Sequence, residues 1–438
     1  MSTRQIIKYT YRLRPGWIRS ITARVPEPRI QAKRTYTMEQ AIFSGLMVFI
    51  LRYRSLRSFC LENKNNPCTM KKFDKGITIK DIPSDDGLRY CLQTVSTKSL
   101  NDLLKDYHQT LERKKILNDQ KLFDRHELIC LDGTGQISSQ KIHCEKCLVK
   151  TLHNGDTVYY HGQLLASLTN IKGSYALPFQ FEPIEKDGVD TQYSKNDCEL
   201  NAGKRLLQKL RTQFPKRNFC ILADNLFGVD PIISLILERQ WHFLITAKPD
   251  RNKELFLMYE YMKERKQYFE FADSEGSMHQ YRWLNKLPLK QYNKNDPRPI
   301  NVNLLEYTEI NGEGEIKYES SWMTDFEISK VNVKKLVLAA RARFAVENRN
   351  FNEQKNLGFH TEHSFGHFGN LPNVFFGLAQ IAQLITELFR FWCPAKSEID
   401  KVGSKRRYFE KLAVIIAEMV IEDSGLPILY LKFEFNTS

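Results

Sequence analysis

The sequence predicts an α/β protein with an all-helical region near its start and a β-rich insertion late in the chain. Helical apolar spacing dominates residues 37–120, and short β-branched and aromatic runs alternate with helical patterns after Glu127. Residues 265–325 alternate polar and apolar side chains, as half-buried antiparallel strands do. We divide the chain into 1–36 (basic arm), 37–122 (helical), 123–264 (first part of the α/β core), 265–328 (insertion), 329–395 (second part of the core) and 396–438 (C-terminal helical segment).

Size and charge narrow the class of partner. With 438 residues and 42% apolar content, the chain can bury a sizeable core. A formal net charge of +14 favours a polyanionic partner, most often nucleic acid, over the alternative of a merely basic enzyme. The nine scattered cysteines and the polar, arginine-rich start predict reduced thiols, no secretory leader and a cytoplasmic location.

The helical region begins at Thr37 and is predicted to run as one helix to Cys60. Ser84 is expected to cap a second helix, and Ser96 or Ser99 to open a third. A helical module with basic faces at the start of a basic protein is a candidate DNA-binding domain. A purely structural bundle remains an equal alternative.

The core follows a recognisable order of elements. Three predicted strands come first, in ELICLDGTG, TVYYHGQLLASLTN and YALPFQFEPI. A helix (NDCELNAGKRLLQKLRTQF), a strand (RNFCILADN), a helix (VDPIISLILERQ) and a last strand (HFLITAKP) follow. This layout predicts that the later strands are parallel.

After the insertion, whose clearest turn signal is Asn311-Gly312, the pattern returns to helix from Val331 to Asn356. Asn332 is a candidate N-cap. Two helices are expected at 371–392 and 404–422, and a strand-like run at 426–435. Polar residues interrupt the stretch from Val374 to Trp392, which therefore predicts a buried helix rather than a membrane span.

Three carboxylates occupy positions that suit metal chemistry. Asp132 and Asp224 each end an apolar strand, and Glu347 is presented from a helix, four residues after Arg343. Converging carboxylates repel one another unless a cation lies between them, and Mg²⁺ or Mn²⁺ is the natural occupant. The alternatives are a cap or turn role for each aspartate and an intrahelical salt bridge for Glu347.

These residues carry a resemblance. LDGTG, LADNLFG and the run ARARFAVENRNFNEQKNLGFHTEHSFGH resemble the DDE transposases of bacterial insertion sequences, in the cut-and-paste group with a β-rich insertion between the second Asp and the Glu. MEQAIFSGLMVFILRYRSLRSF, IHCEKC and YSKNDCELNAGKRLL are similar to the same group, so that the resemblance covers nearly the whole chain from about residue 37.

The resemblance implies a ribonuclease-H-like fold in which Asp132, Asp224 and Glu347 form a catalytic triad that binds two Mg²⁺ (or Mn²⁺) ions. Water would cut double-stranded DNA at the inverted repeats of the element, and the freed 3′-hydroxyl would attack target DNA. It also implies a homodimer assembled on DNA ends, in a bacterial, nucleoid-associated setting. The alternatives are an inactive, transposase-derived DNA-binding protein and a nuclease or resolvase on the same fold.

The chain departs from the family signature Tyr-x2-Arg-x3-Glu-x6-Lys around its Glu. Ala340 stands at the Tyr position and Gln354 at the Lys position, whereas Arg343 fits and Lys355 follows one residue later. Arg343 and Lys355 are candidates for contacts with DNA phosphates. Lys248, at the end of the last core strand, is a third candidate, with a solvated lysine as the equal alternative.

A cysteine motif offers a second metal site. His143, Cys144 and Cys147 form HCxxC, and Cys-x2-Cys is half of a structural zinc site. The other half is not evident from local spacing. It is expected from the loop that carries His360, His363 and His367, if the two loops meet, while His153 and His161 lie downstream of the motif. The favoured alternative is a reduced surface loop with incidental thiols.

Overall fold

The computed structural model describes residues 25, 27, 29–65, 82–113, 117, 121–186, 197–289, 300–356, 358–392, 407 and 410. Most of the basic arm, nearly all of the helix expected at 404–422 and the strand-like run at 426–435 lie outside these residues. None of the described helices has the length and apolar character needed to cross a membrane.

The chain divides into two compact units. The first unit comprises Met1–Thr110, Gly135–His161 and Asn352–Ser438, and the second comprises Leu111–Thr134 and Gly162–Phe351. Each unit is therefore assembled from segments that are far apart in sequence. The domain boundaries given by the sequence patterns stay predictions.

The strands form a mixed sheet, which confirms the predicted α/β class. The described strands are β1 (Glu127–Ser139), β2 (Leu148–Thr151), β3 (Thr157–Thr169), β4 (Ala176–Ile184), β5 (Phe219–Ala223), β6 (His242–Thr246), β7 (Gln267–Ala272), β8 (Met278–Pro288), β9 (Asn301–Ile310) and β10 (Ile316–Thr324). They are hydrogen-bonded in the order β2-β3-β1-β5-β6-β10-β9-β8-β7, and β4 also pairs with β3. As predicted, β1, β5 and β6 run parallel, and their interior residues are buried.

The insertion is antiparallel, as its alternating pattern predicts. Strands β7 to β10 pair in sequence order, and the turn between β9 and β10 contains Asn311 and Gly314, the latter with a φ of 85°. Trp322 pairs with Thr246, so β10 continues the sheet beyond β6. The inward positions of β8 and β9 form a core with Trp283 fully buried.

Helices cover the sheet of the second unit. Helix α5 (Glu199–Gln213) packs on β4 and on α6 (Asp230–Glu238), and α7 (Lys253–Tyr261) packs on β8. Helix α8 (Val333–Arg341) packs on β6 with Leu336 and Val337 buried. In the labels used here, α1 to α4 are the helices Met38–Ile50, Leu56–Asn65, Asp85–Leu92 and Thr97–Arg113.

The helix predicted from Val331 to Asn356 is not continuous. After α8 come a turn at Ala342, a single turn α9 (Phe344–Val346), a π-helical turn (Glu347–Phe351) and α10 (Asn352–Asn356). Apolar spacing does not reveal this, because the π turn is a single turn and the residues on both sides of it are helical. Asn332 precedes α8, but its side-chain oxygen accepts from the upstream amide of Ser329 rather than from the helix.

The first unit is helical around α11 (Leu371–Trp392). The predicted helix at 371–392 is confirmed and its described side chains are largely buried, with Leu378 against Gly45 of α1. The single helix predicted from Thr37 to Cys60 is wrong: α1 ends at Ile50, Arg52 has a φ of 61°, and α2 begins at Leu56. The expected caps hold, because Ser84 and Ser96 accept from the amides of Gly87 and Ser99.

Candidate active site

Asp132 and Asp224 occupy matching positions on neighbouring parallel strands. In the register of β1 and β5, Cys130 lies opposite Leu222. Counting two residues further along each chain gives Asp132 and Asp224, on the same side of the pleat as that pair. Adjacent strands are about 4.8 Å apart, so the backbone brings the two carboxylates together beside the carboxyl end of β5. Asp132 does not end its strand as the sequence predicts, because β1 continues to Ser139.

Asp224 also shapes the turn that leaves β5. It precedes a 3₁₀ turn (Asn225–Phe227) and one of its carboxylate oxygens accepts from the amide of Leu226 at 3.0 Å. The cap role that the sequence offered as the alternative is therefore real. It occupies one carboxylate oxygen, so capping and metal binding are compatible at this residue.

Glu347 stands at the first position of the π-helical turn and is about half exposed. Arg343 donates to its Oε1 at 3.1 Å, so the intrahelical ion pair considered from the sequence is present. The carbonyl of Arg343 accepts a hydrogen bond from the thiol of Cys130, with the two heavy atoms 3.7 Å apart. This contact fixes the helical segment against β1, two residues before Asp132.

The carboxylates act on one another electrostatically. The pKa of Asp132 is raised to about 7, chiefly by burial and in addition by the charges of Glu347, Asp224 and Glu199, while Arg343 opposes the shift. A raised pKa means that the ionised form of Asp132 is poorly compensated by the protein alone. The donor set, carboxylate oxygens with excess negative charge, fits a hard divalent cation such as Mg²⁺.

Glu199 is a fourth carboxylate of this site, and the sequence patterns did not single it out. It is the first residue of α5, and a Cβ added to Gly133 would lie 2.4–2.6 Å from its carboxyl atoms. Burial and the charge of Asp224 raise the pKa of Glu199. An acid in the first turn is favoured by the helix dipole in any helix, so its position in the sequence gave no specific signal.

The three candidate DNA-binding residues are placed differently. Arg343 is mostly buried beside Glu347, and its guanidinium lies 5.0 Å from the centre of the Phe344 ring. Lys248 is exposed two residues after β6, at the same sheet edge as the aspartates. Lys355 belongs to the other compact unit, where it pairs with Glu362 at 3.3 Å. Gln354, at the signature Lys position, is buried there and bonds to Gln380 and Gln383.

The cysteine motif meets two histidines within the first unit. The ligand atoms of Cys144, Cys147, His161 and His367 all lie within 4.8 Å of one another. Among the described residues, no set of three carboxylates is this compact. His143 is not part of this set, because its exposed ring stacks on Tyr159 with the centroids 4.5 Å apart. Of the histidines considered from the sequence, the set therefore takes His161 and His367 and leaves out His143, His153, His360 and His363.

Comparisons with known proteins do not show which family the chain belongs to. No protein-family model matches the chain, and no curated protein matches it. Among solved structures it is similar to the NurA nuclease from Sulfolobus solfataricus, with 9% sequence identity, a TM-score of 0.26, and coverage of 67% of this chain and 93% of that chain. At this TM-score the similarity carries no argument about the fold or the function of the present chain.

Proposed function

We propose that this protein is a DDE transposase: a metal-dependent enzyme that cuts DNA at the ends of a mobile element and joins the freed 3′-hydroxyl to target DNA. The observation that carries the proposal is the matched position of Asp132 and Asp224 on adjacent parallel strands, with Glu347 acting electrostatically on Asp132. These positions support the triad that the sequence resemblance implies.

The layout of the second unit supports the ribonuclease-H-like part of the proposal. Strands β1, β3 and β4 are followed by α5, β5, α6 and β6, and the last two strands run parallel to β1. The insertion between Asp224 and Glu347 is antiparallel, as the resemblance implies for this group of transposases. The net charge of +14 suits a DNA partner.

In the proposed reaction, Asp132, Asp224 and Glu347 hold the divalent ions, and Glu199 adds a fourth negative charge beside them. Bound there, two such ions would supply activation of the attacking oxygen and stabilisation of the leaving oxygen of a phosphodiester. Arg343 orients the Glu347 carboxylate through their hydrogen bond. Exposed Lys248, at the same sheet edge, is placed to attract the phosphate backbone.

The test uses the full-length protein and the DNA that flanks its gene. If that DNA carries short inverted repeats, a plasmid with both repeats is incubated with the protein and Mg²⁺, and nicked and strand-transfer products are mapped. We expect cuts at the ends of the repeats and joined products. Asp132→Ala should lose the cuts and keep DNA binding, while the control Glu313→Gln, in the exposed turn after β9, should behave as wild type.

The outcomes separate the alternatives. Cutting without any joined product would favour a nuclease or resolvase on this fold. Salt-sensitive binding with no cutting under Mg²⁺ or Mn²⁺ would favour an inactive, transposase-derived DNA-binding protein. Wild-type cutting by Asp132→Ala would refute the triad itself.

A further inference from the structure

We propose that Cys144, Cys147, His161 and His367 form a closed, structural zinc site in the first compact unit. The two sulfurs are 3.7 Å apart, and the Nε2 atom of His161 lies 3.5 Å from one sulfur and 3.4 Å from the other. The Nε2 atom of His367 lies 3.3 Å from the sulfur of Cys147. The site is independent of the proposed transposase chemistry, since none of these residues belongs to the carboxylate centre.

These four distances match four of the six edges of a zinc tetrahedron, and the two remaining pairs of ligand atoms lie within 4.8 Å. With Zn–S bonds of about 2.3 Å and Zn–N bonds of about 2.0–2.1 Å at tetrahedral angles, two ligand sulfurs are about 3.8 Å apart and a sulfur and a nitrogen about 3.6 Å apart. The observed separations agree to within about 0.3 Å, within the usual scatter of such bonds. A cluster of two irons would hold the sulfurs and the nitrogens on different metals and spread them further.

Hydrogen bonds among the four side chains give a weaker explanation of this geometry than a metal ion does. The sulfur of Cys147 lies within 3.7 Å of two imidazole nitrogens and of a second sulfur, and a thiol is a weak hydrogen-bond donor and a weak acceptor. A disulfide is excluded as well, because its sulfurs would be about 2.0 Å apart. A cation at the centre would be bound by all four ligand atoms at once.

The backbone places the two cysteines and His161 near one another. In the β2–β3 hairpin, Leu148 lies opposite Tyr160, so Cys147 comes opposite His161 one position further out. The amide of Cys144 donates to the sulfur of Cys147 at 3.3 Å, a bond that stabilises a thiolate. The amide of Cys147 in turn donates to the carbonyl of Cys144 at 3.1 Å, which closes the turn between the two ligands.

The position of His367 is fixed by its neighbours in the same unit. Phe365 is buried, with its ring centroid 5.0 Å from that of Phe49, and its carbonyl accepts from the Nε atom of Arg89 at 2.8 Å. Gly366 packs so closely on Leu371 that an added Cβ would lie 2.9 Å from that side chain. His367 is thus delivered to the cysteines by a packed loop, from more than two hundred residues away in the sequence.

Burial and ligand count indicate a structural role for the metal. Cys147, His161 and His367 are buried, and only Cys144 is partly exposed. Four protein ligands leave no open coordination position, which separates structural zinc sites from catalytic ones. The metal would link the loop before β2, the start of β3 and the loop before α11.

The test measures metal content in untagged, full-length protein after extensive dialysis. We expect about one zinc ion per chain in the wild type, and Co²⁺ in its place should give the intense visible absorption of a tetrahedral site with thiolate ligands. Cys147→Ser and His367→Gln should each lower the zinc content at least about fivefold. Asp132→Asn, in the carboxylate centre, should keep it.

Two matched controls remove the same residue types outside the set. His143→Gln changes the neighbouring exposed imidazole, and Cys198→Ser changes an exposed thiol of the other unit; both should retain zinc. Wild-type protein without retained zinc, with a Cys144–Cys147 disulfide, or with a Co²⁺ spectrum of octahedral type would overturn the proposal. Each of these results can be obtained with the wild type alone, so the proposal can be refuted even if a variant fails to fold.

Discussion

The two candidate metal sites of this chain are built on opposite principles. The carboxylate centre places four acids near one another, and its chief electrostatic feature is negative charge that the protein leaves poorly compensated at Asp132. The Cys/His set brings four donor atoms within 4.8 Å of one another, whereas no three of the described carboxylates are this close. A site of the first kind binds cations that exchange and react, and a site of the second kind holds one ion permanently.

The difference extends to the backbone around each site. Glu347 begins a π-helical turn, a feature that is frequent at functional sites, and Asp224 caps a 3₁₀ turn. The Cys/His ligands come instead from a hydrogen-bonded turn directly before the β2–β3 hairpin, from β3, and from a loop packed on aromatic side chains. If this contrast is correct, changes at the two sites should affect different measurements.

The largest expected effect is on chemistry, from Asp224→Asn. Asparagine can still accept from the amide of Leu226, so the turn after β5 should persist, while one negative charge at the metal centre is lost. We expect Mg²⁺-dependent DNA cutting to fall by at least about a thousandfold, equivalent to about 4 kcal/mol, with the thermal midpoint of unfolding nearly unchanged. Plasmid cleavage and a melting curve on the same sample measure both.

The control for that experiment is Glu313→Gln, which removes one carboxylate from an exposed turn of the same unit. It should leave cutting within about twofold of wild type. Equal losses in the two variants would mean that cutting depends on overall charge rather than on the carboxylate centre.

Next in size is the effect of Cys147→Ser on stability. Loss of a buried ligand should release the zinc, and since the binding energy of a structural metal is folding energy, the first unit should unfold at a lower temperature. We expect the midpoint to fall by roughly 5–10 °C. Scanning calorimetry of the wild type, Cys147→Ser and the exposed-thiol control Cys198→Ser measures it, and a control that falls equally would contradict a metal-specific effect.

How far the sequence predicts these sites depends on how local their signals are. Asp132 and Asp224 could be singled out because each follows an apolar run in the sequence. Asp224 does directly follow β5, but the expectation that Asp132 ends its strand is wrong, because β1 continues past it to Ser139. Glu347 was identified through the resemblance, and the π turn that presents it has no mark in the apolar spacing. Their catalytic roles stay predictions.

The residues that complete each site depend on contacts that local patterns do not carry. Glu199 reaches Gly133 only because α5 packs on the sheet, and His367 reaches Cys147 across more than two hundred residues. His161 was within reach of prediction, since pairing β2 with β3 places it opposite Cys147. The cysteine pair could thus be extended to three ligands from hairpin register, but the fourth required the fold.

A smaller effect concerns pH and tests the uncompensated charge at Asp132. Its pKa is raised to about 7 in the folded chain from an ordinary value of 3.8, so the folded state binds this proton more tightly than the unfolded state does. Stability should therefore fall as the pH rises from about 4 to about 7 and then level off. Asp132→Asn has no such proton and should be more stable than wild type at pH 8 by about 1–3 kcal/mol, but not at pH 4.

Denaturant unfolding in Mg²⁺-free buffer at several pH values measures this difference. Added Mg²⁺ should then stabilise the wild type at pH 8 more than Asp132→Asn, because the cation replaces the proton as the partner of the carboxylate. If the stabilities of the two proteins change in parallel over the whole pH range, the charge of Asp132 is not left uncompensated in the folded protein. The electrostatic contrast between the two sites would then be wrong.

The smallest effect, and the one that most sharpens the contrast, concerns Glu199. If its carboxylate contributes charge to the centre without being one of the triad ligands, Glu199→Gln should raise the Mg²⁺ concentration for half-maximal cutting by about 3–10-fold and leave the maximal rate within about threefold.

Gly133→Ala should act in the same direction, because its new methyl group would meet the Glu199 carboxyl group at 2.4–2.6 Å and displace it. The double variant should be no worse than the more affected single variant, since both changes remove one interaction. Additive losses would show that Gly133→Ala damages β1 itself, and an unchanged Mg²⁺ requirement in Glu199→Gln would remove Glu199 from the centre and leave the three acids at 132, 224 and 347 to bind the cations alone.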